Sequence, residues 1–418
     1  MNTATGPADG LDLLLAEVDG GRMAATVARL ADESFAGRPV GTPGGAGARA
    51  WLGQHLADLD ATVNFEHFPV PSVPEIYAAP TVSWHDGADV RHLEFGRDVA
   101  LHLASAEQPL LLRGDLAVAG HGDPAGRWLL VPAGMSLFDA HSHADGAAGL
   151  LIGRGVDADG WQYTMLAGPN PGPLPILTLD MATHTALQRA AESGRGWLAG
   201  TAPIRRLDVR AANVHGRWRT STEGGVELLL TAHYDGVGDH PGLRQPAAAD
   251  NGSGVAVVLE AARILAPALP AAVGLSVALL DGDEAGALGS AHHAAQLRRD
   301  GARPLVVNVD GAGHLRQAAA VEAGGPAHAL LAALDQAGRH TGLPLVAGPV
   351  ASDNRRYAAA GLAAVGIGAG MAGYHSPADT PDRVDIATMI ALARLVVATG
   401  RLAATAQATV SSSIGDRR

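Results

Sequence analysis

The chain has 418 residues, a formal charge of −12 and no cysteine. This length exceeds that of a single hydrophobic core, so two domains are expected, and the lack of cysteine excludes disulfides, thiolate metal sites and cysteine nucleophiles. All 30 Lys and Arg positions are Arg and form no basic stripe, so nucleic acid is not an expected partner.

The sequence predicts neither a membrane span nor a signal peptide. No stretch approaches the ~20 apolar residues of a transmembrane helix, so no membrane partner is expected. The N-terminus lacks a basic segment followed by an apolar run, which predicts a cytoplasmic protein, although a mature secreted form would look the same. The sequence leaves the oligomeric state open.

The predicted elements begin with helices. Apolar residues at intervals of three and four predict helices at 11–18, 23–31 and 46–59. From residue 62 the pattern alternates, and residues 70–203 hold short strand-like runs separated by Gly, Pro and Asp. This middle region is interpreted as an inserted β-rich domain.

Strands and helices alternate in the remainder of the chain. Short apolar runs predict buried strands at 226–232, 273–280, 305–309 and 363–367. Helical periodicity occurs at 255–265, 288–299, 327–340 and 386–404, and a polar tail is predicted from residue 410. The alternation predicts an α/β fold with a mostly parallel central sheet and helices on both faces.

Ionisable residues follow these predicted strands or open a helix: His233, Asp250, Glu284, Asp310 and His375. The carboxyl ends of parallel strands meet at one edge of a sheet, so these side chains are expected to lie close together. Each alone has an ordinary explanation as a turn residue or, for Asp250, as a helix cap. Together, their nitrogen and oxygen ligands predict a site for a pair of zinc or similar divalent ions.

Five short motifs occur in a characteristic order: H-Y-D at 233–235, D-N-G-S-G at 250–254, D-E-A-G-A-L-G-S at 283–290, N-V-D at 308–310 and Y-H-S-P-A-D-T at 374–380. This order resembles the co-catalytic zinc exopeptidases, the family of the bacterial double-zinc aminopeptidases and glutamate carboxypeptidase II. The resemblance implies two zinc ions bridged by Asp250, with His233 and Asp310 completing one position and Glu284 and His375 the other. It also implies that Asp235 orients His233 and that the peptide bond after Asp250 is cis.

One residue departs from the family pattern. The residue before the Glu ligand is normally a Glu that serves as general base, and here it is Asp283. The resemblance implies that Asp283 takes the proton of a metal-activated water with one methylene less reach, and the alternative is a carboxylate that only supports the ligands. Tyr374 is implied to hold the tetrahedral intermediate, with an ordinary half-buried Tyr as the alternative.

Three other features accompany these motifs. Ser352-Asp353-Asn354 resembles the family's S-D-H segment, with Asn at a position expected to alter substrate contacts, and Asp379 is interpreted as a structural turn residue. His141 and His143 are interpreted as surface residues, because positions i and i+2 of a helix do not face each other. His292 and His293, at the start of a predicted helix, are interpreted as solvated.

The middle region carries a second resemblance. Residues 126–132, 138–145 and 146–152 are similar to a protease-associated domain, and residues 35–44 resemble the N-terminal segment of the zinc exopeptidases. The predicted division is a catalytic domain of residues 1–70 and 205–418, interrupted by a protease-associated-like insert of residues 71–204.

The resemblance implies a metallopeptidase, most simply an aminopeptidase acting on the N-terminus of a peptide. Three alternatives are kept: a glutaminyl cyclase with one zinc ion, whose L-D-G-D-E-A stretch is similar to residues 280–285; an amidase for a small aminoacylated metabolite; and a non-enzymatic binding protein.

Overall fold

The computed structural model describes residues 7–164, 170–222 and 225–415, with side chains from 10 to 405. The chain begins with three helices and a long strand: α1 (Pro7–Ala16), α2 (Gly20–Leu30), α3 (Pro43–Asp58) and β1 (Thr62–Ile76). The helices start where the local sequence caps them. Asp19 accepts a hydrogen bond from the main-chain N–H of Gly21 at 2.7 Å, and Thr42 precedes a proline that suits the first helical position.

The middle of the chain forms a sheet of its own with two helices. Its elements are β2 (Val82–Asp86), β3 (Asp89–His92), β4 (Val99–Leu101), β5 (Gln108–Val118), β6 (Trp128–Val131), α4 (Leu137–Ser142), β7 (Gly149–Arg154), β8 (Ile176–Asp180), α5 (Met181–Glu192) and β9 (Trp197–Ala202). The strand order in this second sheet is β3-β2-β9-β5-β6-β7-β8-β4. Its β-rich character agrees with the sequence, and its assignment as a protease-associated domain stays a prediction.

The rest of the chain forms the central sheet and its covering helices. Its elements are β10 (Ile204–Arg219), β11 (Glu227–His233), α6 (Gly254–Ala268), β12 (Gly274–Leu280), α7 (Leu288–Arg299), β13 (Leu305–Val309), β14 (Ala319–Gly324), α8 (His328–Thr341), β15 (Leu345–Ala347), α9 (Asn354–Ala359), β16 (Ala363–Gly368) and α10 (Ile386–Gly415).

The central sheet has the order β1-β10-β12-β11-β13-β16-β14-β15. Strands β12, β11, β13 and β16 run parallel to one another. The strands next to this group, β10 beside β12 and β14 beside β16, run antiparallel to it. The four parallel strands therefore end at one edge of the sheet.

Buried apolar residues explain why helices cover both faces of the central sheet. Along β11, Leu228 and Leu230 join the large core beneath α2, α6, α8 and α10, whereas Leu229 joins a smaller core with α7 and α9. Successive side chains of a strand point to opposite faces, so a strand buried on both faces requires an apolar residue at every position. The predicted fold class is confirmed.

The C-terminal helix corrects two sequence expectations, the absence of a long apolar stretch and the polar tail. Residues Ile386–Thr405 form a helix long and apolar enough, by length and composition alone, to cross a membrane. Most of that stretch is buried inside the protein, where Leu392 and Val396 join the large core with α6 and α8. The helix also continues through residues 410–415, where a polar tail was predicted, and residues 416–418 of that tail lie outside the described residues.

Candidate metal centre

The five predicted ligands converge at the carboxyl edge of the four parallel strands. His233 is the last residue of β11, Asp310 directly follows β13, and Glu284 and His375 lie in the loops after β12 and β16. Asp250 lies in the irregular turn that leads into α6. Among the described residues, two groups have ligand atoms within 4.8 Å of one another: His233, Asp250 and Asp310, and Asp250, Glu284 and His375.

Asp250 belongs to both groups and uses a different oxygen in each. Its Oδ1 lies 3.4 Å from Nε2 of His233, and its Oδ2 lies 3.0 Å from Nε2 of His375. Asp310 Oδ1 is 3.4 Å from the first histidine, and Glu284 Oε2 is 3.2 Å from the second. A carboxylate between two three-residue groups is the arrangement that lets two cations lie side by side.

The unpaired atoms of the site fit a divalent cation. Oε1 of Glu284 and Oδ1 of Asp310 are buried and have no hydrogen-bond partner among the described residues. A buried carboxylate oxygen without a partner is unfavourable, and a metal ion supplies the missing interaction. Imidazole nitrogen and carboxylate oxygen are ligands that zinc accepts.

The electrostatics of the site also favour cations. Burial lowers the pKa of His375, but the carboxylates of Glu284 and Asp250 outweigh it and raise the pKa to about 11. Burial likewise opposes protonation of His233, whose pKa is nevertheless well above its usual value beside Asp283 and Asp310. The negative charge of these carboxylates, which stabilises the protonated histidines, also attracts a metal ion to the same place.

Asp235 lies beside His233, as predicted, but its carboxylate makes different hydrogen bonds. Nδ1 of His233 lies 3.2 Å from the main-chain oxygen of Asp235 and 3.5 Å from its Oδ1. The Asp235 carboxylate accepts the main-chain N–H groups of Asp283 and Glu284 at 3.1 Å each. Asp235 thus holds the loop that carries the predicted base and ligand, and its main-chain carbonyl fixes the imidazole.

The turn at Asp250 is held from two sides. The Asp250–Asn251 peptide bond is cis, which confirms that expectation. Asp379 accepts the main-chain N–H groups of Ala249 at 2.6 Å and Asp250 at 3.0 Å. Asp379 is therefore occupied with the backbone, in agreement with the structural role predicted for it.

Asp283 and Tyr374 lie next to the two histidines of the centre. Asp283 Oδ2 is 3.9 Å from Nε2 of His233, and burial together with the nearby charge of Asp353 raises the pKa of Asp283 well above its usual value. The ring of Tyr374 stacks on the ring of His375 with centroids 3.7 Å apart, and 42% of Tyr374 is exposed. Burial and the surrounding carboxylates raise the pKa of its phenol, which keeps the proton in place.

Arg38 was missed as a site residue. It is fully buried, and its guanidinium donates to the main-chain carbonyls of Leu30, Tyr234, Pro246 and Ala247 at 2.7–2.9 Å. These bonds fasten the segments next to His233 and Asp250 to the end of α2. The G-R-P segment resembling the family's N-terminal region was the signal that could have identified it.

One sequence interpretation is wrong. His293 is buried rather than solvated, because its Nδ1 pairs with the Tyr357 hydroxyl at 2.9 Å and its ring contacts His215. Asn354 is buried, and its side chain lies against Gly366 of β16, so an effect on substrate contacts stays a prediction. Of the other histidine pair, His143 is exposed and His141 is half-buried.

Comparison with known sequences agrees with the motifs. Residues 213–400 match the model of peptidase family M28. An aminopeptidase of Pseudomonas aeruginosa strain UCBPP-PA14 is 29% identical over 180 residues, which are 42% of this chain and 32% of that protein. The chain thus spans about a third of the length of the curated relative it matches.

Comparison with solved structures covers nearly the whole chain. The aminopeptidase from Aneurinibacillus sp. strain AM-1 is 19% identical, with a TM-score of 0.71 over 93% of this chain and 95% of that one. BSAP, a zinc aminopeptidase from Bacillus subtilis, is 19% identical, with a TM-score of 0.69 over 92% and 94%. The glutaminyl cyclase of Fimbriiglobus ruber is 15% identical, with a TM-score of 0.52 over 96% and 97%.

The structural likenesses establish the fold, and the match to the family model covers the part of the chain that carries the site. The matched segment contains all five predicted ligands together with Asp235, Asp283 and Tyr374. The family that residues 213–400 match, peptidase family M28, is that of the co-catalytic zinc exopeptidases that the sequence motifs resemble.

Proposed function

We propose that the protein is an aminopeptidase that holds two zinc ions and releases N-terminal residues from peptides. The observation that carries the proposal is the shared carboxylate of Asp250, whose two oxygens face two separate ligand groups. The aminopeptidase relative and the zinc aminopeptidase of similar fold support the same activity.

One zinc ion would be held by His233 and Asp310 and the other by Glu284 and His375, with Asp250 shared between them. These ions would polarise the scissile carbonyl and acidify a water molecule. Asp283 accepts the proton of the attacking water and returns it to the leaving amine. Its raised pKa, caused by burial and by Asp353, suits a group that must hold a proton for part of the cycle. Tyr374 keeps its phenolic proton and donates a hydrogen bond to the developing oxyanion.

The alternatives fit these observations less well. A cyclase with a single zinc ion needs only one ligand group, whereas both groups are complete around Asp250. A binding protein that had lost its metal would not keep five converging ligands, two of which hold buried oxygens without partners. Hydrolysis of a small aminoacylated metabolite uses the same centre and differs only in substrate.

The cytoplasmic location stays a prediction from the sequence.

Elemental analysis of the purified protein, together with a panel of aminoacyl nitroanilides, tests the proposal. About two zinc ions per chain are expected, with hydrolysis that a chelator abolishes and that Asp283→Ala greatly weakens. One zinc ion with cyclisation of N-terminal glutamine would establish the cyclase instead. Two zinc ions without cleavage of any nitroanilide or peptide would move the proposal to the small-metabolite amidase.

A further inference from the structure

A short segment from the region of the second sheet reaches the metal centre. Residues 157–164, here called the 157–164 segment, lie between β7 and β8. At its end, Thr164 forms two hydrogen bonds with the predicted ligand His375. Nδ1 of His375 donates to the Thr164 carbonyl at 3.0 Å, and the main-chain N–H of Thr164 donates to the His375 carbonyl at 2.8 Å.

These two bonds fix both the ring and the backbone of His375. Because the Thr164 carbonyl holds Nδ1 as the donor, Nε2 is the atom left to bind an ion together with Asp250 and Glu284, whose oxygens lie 3.0 and 3.2 Å away. The backbone of His375 has a φ of 50°, a left-handed conformation that a residue with a side chain rarely adopts. Such a conformation persists only where surrounding contacts hold it.

Additional bonds anchor the 157–164 segment beside His375. The Ser376 hydroxyl donates to Oδ2 of Asp157 at 2.7 Å, and Oδ1 of Asp157 accepts the main-chain N–H groups of Asp159 and Trp161 at 2.9 Å each. Asp159 also forms an ion pair with Arg383. The Asp157 carboxylate therefore fixes the backbone of the 157–164 segment and bonds it to Ser376, the residue after His375.

The other histidine is supported differently. Nδ1 of His233 lies 3.2 Å from the main-chain oxygen of Asp235, two residues further along the chain, just after β11. Among the described residues, the hydrogen-bond partners of His233 and Asp310 lie outside the region of the second sheet. The group of Glu284 and His375 depends on a contact with the region of the second sheet.

We propose that the 157–164 segment is a positioning element for His375 and that it sets the affinity of the zinc ion held by Glu284 and His375. The inference rests on the proposed function in one respect, since it requires two zinc ions. Loss of the partner that fixes a metal-ligating histidine typically weakens metal binding about 10- to 100-fold. The effect should fall on one of the two ions and spare the other.

Zinc dissociation constants measured by chelator competition test the inference. Asp157→Ala should weaken one of the two zinc ions at least ~10-fold and leave the other within about threefold of the original value. The matched control is Asp123→Ala, which removes a carboxylate with a similar turn contact, to the main-chain N–H of Ala125 at 3.0 Å, elsewhere in the same region. The control should leave both constants unchanged.

Ser376→Ala removes the same hydrogen bond from the other side and serves if Asp157→Ala does not fold. In the double variant the two effects should add less than fully, because both substitutions remove the Ser376–Asp157 hydrogen bond. Unchanged affinity for both ions in the two single variants would overturn the inference, as would equal weakening of both ions. If the original protein binds two zinc ions but cleaves no peptide, the aminopeptidase proposal fails and the comparison of affinities still decides this one. A protein that takes up no zinc overturns both.

Discussion

At the scale of single residues, Asp283 departs most clearly from the pattern of the family that residues 213–400 match. It lies beside His233 with a side chain one methylene shorter than Glu. Replacing Asp283 with Asn keeps the shape but removes the proton acceptor, so kcat should fall by ~100- to 10,000-fold, the usual contribution of a general base. Steady-state kinetics with parallel zinc analysis measures this, and zinc content should stay at the original value.

Asp283→Glu is the informative companion because it restores the carboxylate with a longer reach. It should retain far more activity than the Asn variant, and Asp300→Asn, at an exposed carboxylate beyond α7, should change neither kcat nor zinc content. An Asn variant as active as the original protein would assign the proton transfer to another group. A loss of zinc in the Asn variant would instead show that Asp283 supports the ligands.

The hydrogen bonds from Arg38 to its four main-chain acceptors should contribute to the free energy of unfolding. Arg38→Met leaves those buried carbonyls without a donor, and the expected loss is at least ~3 kcal/mol because each bond to a charged donor contributes about 1.5–3 kcal/mol. Chemical denaturation of the metal-free protein measures the change. Arg316→Met, at an exposed arginine, is the control and should stay within about 0.5 kcal/mol. Equal effects of the two substitutions would contradict the role assigned to Arg38.

The residues of the metal centre were predictable where a side chain carries the chemistry. The predicted ligands occur in a recognisable order at the ends of buried strands or, for Asp250, before a helix, and they converge in the structure: His233, Asp250, Glu284, Asp310 and His375. The bond from His375 to Thr164 was not predictable, because its acceptor is a main-chain carbonyl, which every residue has. The burial of His293 depends on His215 and Tyr357, whose proximity only the fold establishes.

At the scale of elements, Glu66 links β1 to its neighbour β10. Its Oε2 accepts a hydrogen bond from Asn213 at 2.8 Å and lies 3.1 Å from Nε2 of His215, both on β10. Burial alone would raise the pKa of Glu66, but the hydrogen bonds from His215 and Asn213 outweigh it and lower the pKa to about 2. The ionised carboxylate is therefore favoured in the folded protein.

A pH-dependent contribution to stability follows from that shift. The folded pKa lies below the ordinary value of 4.5, so the contribution is fully present above pH 4.5 and is lost as the pH falls toward 2. Glu66→Gln should flatten the acid limb of the stability curve between these values. Denaturation of metal-free protein across this range measures it, with Glu192→Gln at an exposed position as control. A variant whose curve keeps the original slope would contradict the assignment.

Elements with a strong pattern were predicted well and those without one were not. The strand predicted at 305–309 and the helix predicted at 288–299 coincide with β13 and α7, because continuous apolar runs and helical periodicity mark them clearly. No strand was predicted where β10 lies. Four consecutive buried residues, 211–214, interrupt its alternation, because both faces of the sheet are covered only along that part of the strand.

At the scale of the whole molecule, the ligands tie together the ends of four strands that are far apart in sequence. The unfolded chain has no such arrangement, so zinc should bind the folded state and stabilise it by about 2.7 kcal/mol for each bound ion at a concentration 100 times its dissociation constant. Thermal unfolding with zinc and with a chelator measures the difference. Asp250→Ala, which removes the shared ligand, should abolish most of the zinc-dependent rise in Tm. An identical Tm under both conditions in the original protein would contradict the metal centre.

The long pair of strands β1 and β10 has a consequence for how the two sheets are joined. The chain leaves the central sheet at Ile76 and returns at Ile204, and these residues are register partners across the antiparallel pair. A tight hairpin turn between them could replace everything from 77 to 203 without moving either strand. Modules can thus be exchanged at this junction during evolution, provided that each newcomer supplies its own carbonyl acceptor for His375.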